Sequence, residues 1–304
     1  MPIHLPTLTR SVSVAAVAGA LLIGGPTVAG ADSAPAVPGL NTGSSGGSSG
    51  PVVTDAPRLA SVDNFRDVGG TGAGYATSDG KRVTRGVFYR SNALTPSDDD
   101  LRRLESLHLT AVYDLRGPKE IADKPDRVPA GAKYLNIAIL SGDIEAVATQ
   151  VRTPEEAREL ARTVYRTFVT GTAERAAIGQ VLTDLANTAG PQVFHCNAGK
   201  DRTGWIAATL LGLAGVPRDT ITSDFLLSNE YSKNSIKARH DQIVAKYGEQ
   251  AAAIFDPILG VEASFLAAAL TQMDQSYGSI ENYLTDGLGL TDATVMALRA
   301  KLLR

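Results

Sequence analysis

The sequence predicts an α/β fold: a mainly parallel sheet flanked on both faces by helices. Two observations carry that reading. Short strand-like runs alternate with helical segments, the order that a parallel sheet with crossover helices requires. One segment, Thr203 to Leu213, is apolar nearly all round, as a fully buried helix must be.

Along the chain, Asp79-Gly80 between Tyr75-Ala76-Thr77 and Val83-Thr84 reads as a hairpin turn. Residues 86–90 form a short strand. Thr95 then caps a helix opened by Pro96 and the acids Asp98, Asp99 and Asp100. Acids in a first turn complement the helix dipole, so this run is read as a helix start and not as a metal cluster. Residues 110–115 and 134–139 are the next strands. Residues 154–189 read as helical, with Ala157, Ala161, Val164 and Phe168 on one stripe. A strand at 192–195 leads into the apolar helix, which Gly215 and Pro217 end. From Arg218 onward the pattern is helical, with Leu266, Leu270, Met273 and Tyr277 on one face.

Composition narrows the function. The chain has 304 residues, 43% hydrophobic and 20% charged, within the range of ordinary globular proteins. Lys plus Arg number 29 against 32 Asp plus Glu, a net charge of -3. No basic excess exists to hold a polyanion, so nucleic acid is not an expected partner. Cys196 is the single cysteine, which rules out an intrachain disulfide, and His4, His108, His195 and His240 are too scattered for a zinc site. Neither a metal nor another cofactor is expected.

Residues 1–31 read as a secretory signal. Arg10 precedes an uncharged stretch, residues 12–23 are apolar, and Ala29-Gly30-Ala31 supplies small residues for cleavage. Gly24, Gly25 and Pro26 cut the run below the ~20 residues a spanning helix needs. The expectation is a secreted protein with no stable membrane insertion after cleavage. Residues 32–57 read as a flexible linker, with Gly, Ser and Pro at 14 of 26 positions. Residues 58–304 then form one domain.

The chemistry is concentrated in His195-Cys196-Asn197-Ala198-Gly199-Lys200-Asp201-Arg202-Thr203-Gly204. A strand ends at His195 and a helix starts near Arg202, so the loop between them aims backbone N–H groups and a helix N-terminus into one concavity, an anion site. Gly199 permits the sharp turn. Arg202 offers a planar fork to two phosphate oxygens. Cys196 lies at the floor, where those amides and the Arg202 charge favour the ionised thiolate, and Thr203 can donate a hydroxyl hydrogen bond to the sulfur. A thiolate beneath a bound phosphate dianion is placed for in-line attack on phosphorus. Arg202 and the loop amides, from Asn197 through Lys200, would stabilise the equatorial charge. His195 is read as a residue that orients the loop.

The spacing from Cys196 to Arg202 matches the C-x5-R signature of cysteine-dependent phosphatases. The longer string, with Asn64-Phe65-Arg66-Asp67-Val68-Gly69-Gly70, Tyr89-Arg90-Ser91 and Asp114-Leu115-Arg116 in the same order, resembles the secreted bacterial tyrosine-phosphatase family that also acts on phosphoinositides. The resemblance implies the cysteine-phosphatase fold and a phosphorylated protein or phosphoinositide substrate. It also implies a helical lid, for which residues 141–170 and 233–278 are the candidates. The general acid that protonates the leaving oxygen is either Asp201, inside the loop, or Asp114, at a strand end. Asp114 has a rival role as an ion pair with Arg116, and Asp201 as a carboxylate that merely positions Arg202. Lys200 adds a second cation for a multiply charged substrate, or is a solvated loop charge. Arg66, Asp67, Arg90 and Arg116 are expected as an ion-pair framework beneath the loop. A phosphoinositide- or phytate-directed phosphatase and a non-catalytic phosphate-binding module are the alternative functions.

Overall fold

The computed structural model describes residues 55–139 and 151–303. Its sheet has five strands: β1 (Arg66–Asp67), β2 (Phe88–Ser91), β3 (Ala111–Asp114), β4 (Lys133–Asn136) and β5 (Gln192–His195). They lie in the order β1-β2-β5-β3-β4. β1 is antiparallel to β2, whereas β2, β5, β3 and β4 run parallel. The longer helices are α1 (Asp98–Glu105), α2 (Pro118–Asp123), α3 (Pro154–Thr170), α4 (Thr172–Asn187), α5 (Arg202–Leu213), α6 (Arg218–Tyr231), α7 (Lys233–Tyr247), α8 (Glu249–Leu259), α9 (Ala263–Tyr277) and α10 (Asp292–Leu302), with a short helical and π-helical stretch from Ile280 to Gly287 between the last two.

Strand alternation divides the core. Phe88, Tyr113 and Phe194 point into the large cluster formed with α4, α5 and α9, and Tyr89, Val112 and Val193 into a smaller one with Leu104 of α1. Both faces of the central strands are thereby covered, as parallel sheets require. α5 lies deepest, with every residue but Arg202 and Gly212 buried, in keeping with its all-round apolar sequence. A third cluster stands apart from the sheet: Val151 and Ala157 pack with Ile243 of α7 and Ala252, Phe255 and Leu259 of α8.

Several boundaries differ from expectation for local reasons. Ser97, and not Thr95, caps α1, its hydroxyl accepting from the Asp100 amide at 3.3 Å. The strand at 86–90 begins only at Phe88, because Gly86 has φ 78°. The strand at 134–139 ends at Asn136, level with the end of its partner β3. The helical stretch 154–189 is broken at Gly171, which has extended backbone between α3 and α4. Asp55 is already docked, accepting from Gly72 and pairing with Arg85 at 2.6 Å, so the folded part starts ahead of residue 58. The signal segment, the rest of the linker and the first part of the candidate lid lie outside the described residues. Among the described residues no single helix is long and apolar enough to cross a membrane.

Candidate active site

Ser91, His195 and Asp114 end β2, β5 and β3 side by side, in register. The loop from Cys196 to Asp201 leaves this edge at the carboxyl ends of the strands and enters α5, where open α/β sheets place their ligand crevices. Gly199 makes the turn at φ 68°. A Cβ there would lie 2.6 Å from the Asn92 nitrogen and closer still to the Ser91 carbonyl, so only glycine fits. The Gly199 carbonyl faces away from the loop's mouth, accepting from Asn64 Nδ2 at 2.7 Å and from Arg90 at 2.8 Å. The amides of Ala198 through Arg202 find no acceptor among the described residues. Together with the start of α5 they form an anion cradle. Cys196 is its floor, 2% exposed.

The frame beneath the loop is centred on a residue that spacing did not reveal. Asp224 of α6 accepts from Arg66 Nε and Arg90, both at 3.2 Å, and from the Tyr75 hydroxyl at 3.1 Å. Burial would raise its pKa, but the two guanidinium groups hold it below the usual carboxylate range. Asp224 falls 28 residues after Cys196, inside an ordinary helical pattern, so only the fold reveals its role. Asp67, expected in the ion-pair frame, instead receives the amides of Gly69 at 2.8 Å and Gly86 at 2.6 Å. Burial pushes its carboxyl up to about 6 against those hydrogen bonds.

Arg202 points its fork at Glu120 of α2, with bonds of 2.7 and 2.6 Å to the two carboxylate oxygens. A further bond of 3.3 Å reaches the Leu115 carbonyl. Burial alone would lower the pKa of Arg202; Glu120 and the neighbouring Cys196 sulfur raise it, so the fork is permanently charged and prealigned. Glu120 was also missed from sequence, although its position three residues after Gly117, whose amide it accepts at 3.0 Å, is a helix-start signal.

The two candidate acids have separate environments. Asp114 is fully buried. It receives Arg116 Nε at 2.9 Å, Arg116 Nη2 at 2.8 Å and the Tyr134 hydroxyl at 2.8 Å. Burial would raise its pKa, yet the Arg116 bond and the adjacent His195 bring it down to about 2. The ion-pair role is thus what the geometry displays at Asp114. Arg116 also holds Asp126 at 2.9 Å, and His195 Nε2 lies 3.0 Å from that carboxylate. Asp114, Asp126 and His195 approach one another closely enough to share a cation, and the Arg116 guanidinium already supplies the positive charge there.

Asp201 stands where a helix N-cap would be, but its side chain caps nothing. Nor does it hold Arg202, which Glu120 clamps. Its Oδ1 instead accepts from the Tyr165 hydroxyl at 3.0 Å. Thr203 is fully buried, and its Oγ1 has no hydrogen-bond partner among the described residues. Lys200 is neither solvated nor turned toward the cradle. Its ammonium donates to the carbonyls of Ile258, Leu259 and Gly260 at 2.6, 3.0 and 2.9 Å, at the C-terminal end of α8. Asn197 and Ala198 form the rim, with the Asn197 carbonyl fixed by the Ala93 amide at 3.1 Å.

A buried cysteine under a ring of amides, with a charged fork six residues on, defines the class of cysteine-dependent phosphatases. Residues 57–304 match the model of the tyrosine phosphatase family, and the chain belongs to that family. It is 33% identical over 276 residues to the triple specificity protein phosphatase PtpB of Mycobacterium tuberculosis, covering 79% of this chain and 96% of the relative. A putative tyrosine-protein phosphatase of Cupriavidus necator is 35% identical over 257 residues, covering 78% and 89%. A solved structure of P. aeruginosa TpbA overlaps 62% of this chain and 86% of its own at 16% identity, with a TM-score of 0.24. That likeness is too slight to carry weight, and the fold class rests on the sheet itself.

Proposed function

We propose that this enzyme hydrolyses phosphotyrosine monoesters through a cysteinyl-phosphate on Cys196, with Asp201 as the general acid and base. The observation that carries the acid assignment is the freedom of the Asp201 carboxylate from structural duty: it neither caps α5 nor holds Arg202. Sγ of Cys196 attacks phosphorus, forming the S–P bond as the P–O bond to the leaving group breaks. The ester oxygen takes that electron pair and the Asp201 proton. Water then attacks phosphorus, giving a proton back to Asp201, and the S–P bond breaks to return the thiolate and release phosphate. The loop amides of Ala198 through Arg202 and the Arg202 guanidinium bind the equatorial oxygens throughout. The buried Thr203 hydroxyl is left to donate to the sulfur.

Phosphoserine, phosphothreonine and phosphoinositide monoesters belong to the proposed range, in keeping with the triple specificity in the name of the mycobacterial relative. Export through residues 1–31, action outside the cell and independence of metals complete the reading. The test compares wild type, Cys196→Ser and Asp201→Asn on a phosphotyrosine peptide and a phosphoinositide monophosphate, without added metal. Cys196→Ser should lose all turnover. Asp201→Asn should slow phosphotyrosine hydrolysis about 10²-fold or more. Near-full activity in Asp201→Asn would remove it as the acid, and a wild type inert on both substrates would leave a binding module.

A further inference from the structure

We infer that Tyr165 is a positioning residue for the general acid, fixing the carboxyl rotamer of Asp201. The inference rests on the acid assignment made above for Asp201.

Tyr165 lies on α3, far from the loop in sequence, and is 1% exposed. Its ring is wedged among Phe168 of α3 at 5.4 Å, Phe225 of α6 at 5.8 Å and Phe265 of α9 at 6.1 Å between centroids. Contacts from three helices leave the ring little freedom to turn, and the hydroxyl position is set with it. Phe225 also abuts the first turn of α5: a Cβ on Gly204 would meet its ring at 3.1 Å. The same aromatic group therefore locates both the start of α5 and the phenol that Asp201 accepts from.

An aspartate at the start of a helix ordinarily turns inward to accept a backbone amide. Asp201 has helical backbone at that position, φ −86° and ψ −76°, and its carboxylate does not cap. The Tyr165 bond of 3.0 Å gives it another anchor, through Oδ1. Oδ2 has no partner among the described residues, which makes it the oxygen that carries and returns the proton. The phenol stays protonated, because burial first and the Asp201 charge second push its pKa far up. A fixed neutral donor on Oδ1 holds the carboxyl in one rotamer, so that Oδ2 keeps one position through both steps.

The test is Tyr165→Phe, which keeps the ring and removes the donor alone, with a thermal melt to show that the fold survives. The rate loss should be about 10-fold for poor leaving groups and slight for an activated aryl phosphate, whose departure needs little protonation. In an Asp201→Asn background, Tyr165→Phe should have no further effect on leaving-group dependence. A uniform loss across leaving groups would overturn the inference and leave Tyr165 a packing residue. Leaving-group dependence unchanged in Asp201→Asn itself would remove the acid assignment first. Should Tyr165→Phe unfold, the crystal structure of Cys196→Ser with bound phosphate decides: an Asp201 carboxyl held by the Tyr165 hydroxyl supports the inference, and one turned away from it contradicts it.

Discussion

At the scale of single residues, the proposed mechanism divides chemistry and framework between two aspartates that sequence alone left open. Asp114→Asn should cost about 3–5 kcal/mol of stability, because Arg116 then stays buried with half its charge partners lost. Asp201→Asn should leave the stability within about 1 kcal/mol while slowing turnover, so unfolding and rate measurements on the same two proteins separate the roles. Similar stability losses in both would contradict this division. Gly199→Ala should abolish activity, since the added methyl collides with the Ser91 carbonyl at a positive φ. Cys196, Gly199 and Arg202 were legible because one contiguous stretch encodes them. Glu120, Tyr165 and Asp224 were not: each acts across the fold, and sequence records no distance between α2, α3 or α6 and the loop.

At the scale of elements, the succession of strands and helices and the buried α5 were readable from runs of apolar residues, whereas ends were set by side chains that hydropathy does not weigh. Ser97 took the cap expected of Thr95, and Gly171 split one predicted helix into two. The apolar stripe drawn through Ala157, Ala161, Val164 and Phe168 passed beside Tyr165, the residue that reaches the site. Lys200 shows how a loop residue can serve a distant helix. Its ammonium closes the carbonyl end of α8, where positive charge is favoured. Lys200→Met should therefore raise amide hydrogen exchange through α8, with Lys200→Arg intermediate. Unchanged exchange in Lys200→Met would show that the contact contributes nothing to holding the helix.

For the whole molecule, acid stability should reflect two buried carboxylates of opposite sign. Asp114, depressed to about 2, contributes stability that is present above its unfolded value near 4 and lost as pH falls toward 2. Asp67, raised to about 6, works the other way: its contribution is full below about pH 4 and lost as pH rises through 6. Urea unfolding as a function of pH should show Asp67→Asn flattening the decline between pH 4 and 6, and a decline of wild-type size in that variant would refute it. Of the candidate lid segments, α9 and the end of α3 pack into the main core, whereas α7, α8 and the start of α3 form a small core of their own. The small core is tied to the loop through Lys200 and to the segment before β1 through Ser235 and Asp63. On the proposed mechanism, this frame holds the Cys196 sulfur beneath one phosphate. The most direct test is rapid quenching of wild type with a phosphotyrosine peptide, followed by mass spectrometry of the fragment bearing Cys196. Phosphate on Cys196, with no turnover in Cys196→Ala, is the predicted result; phosphate on another residue, or hydrolysis by Cys196→Ala, would contradict it.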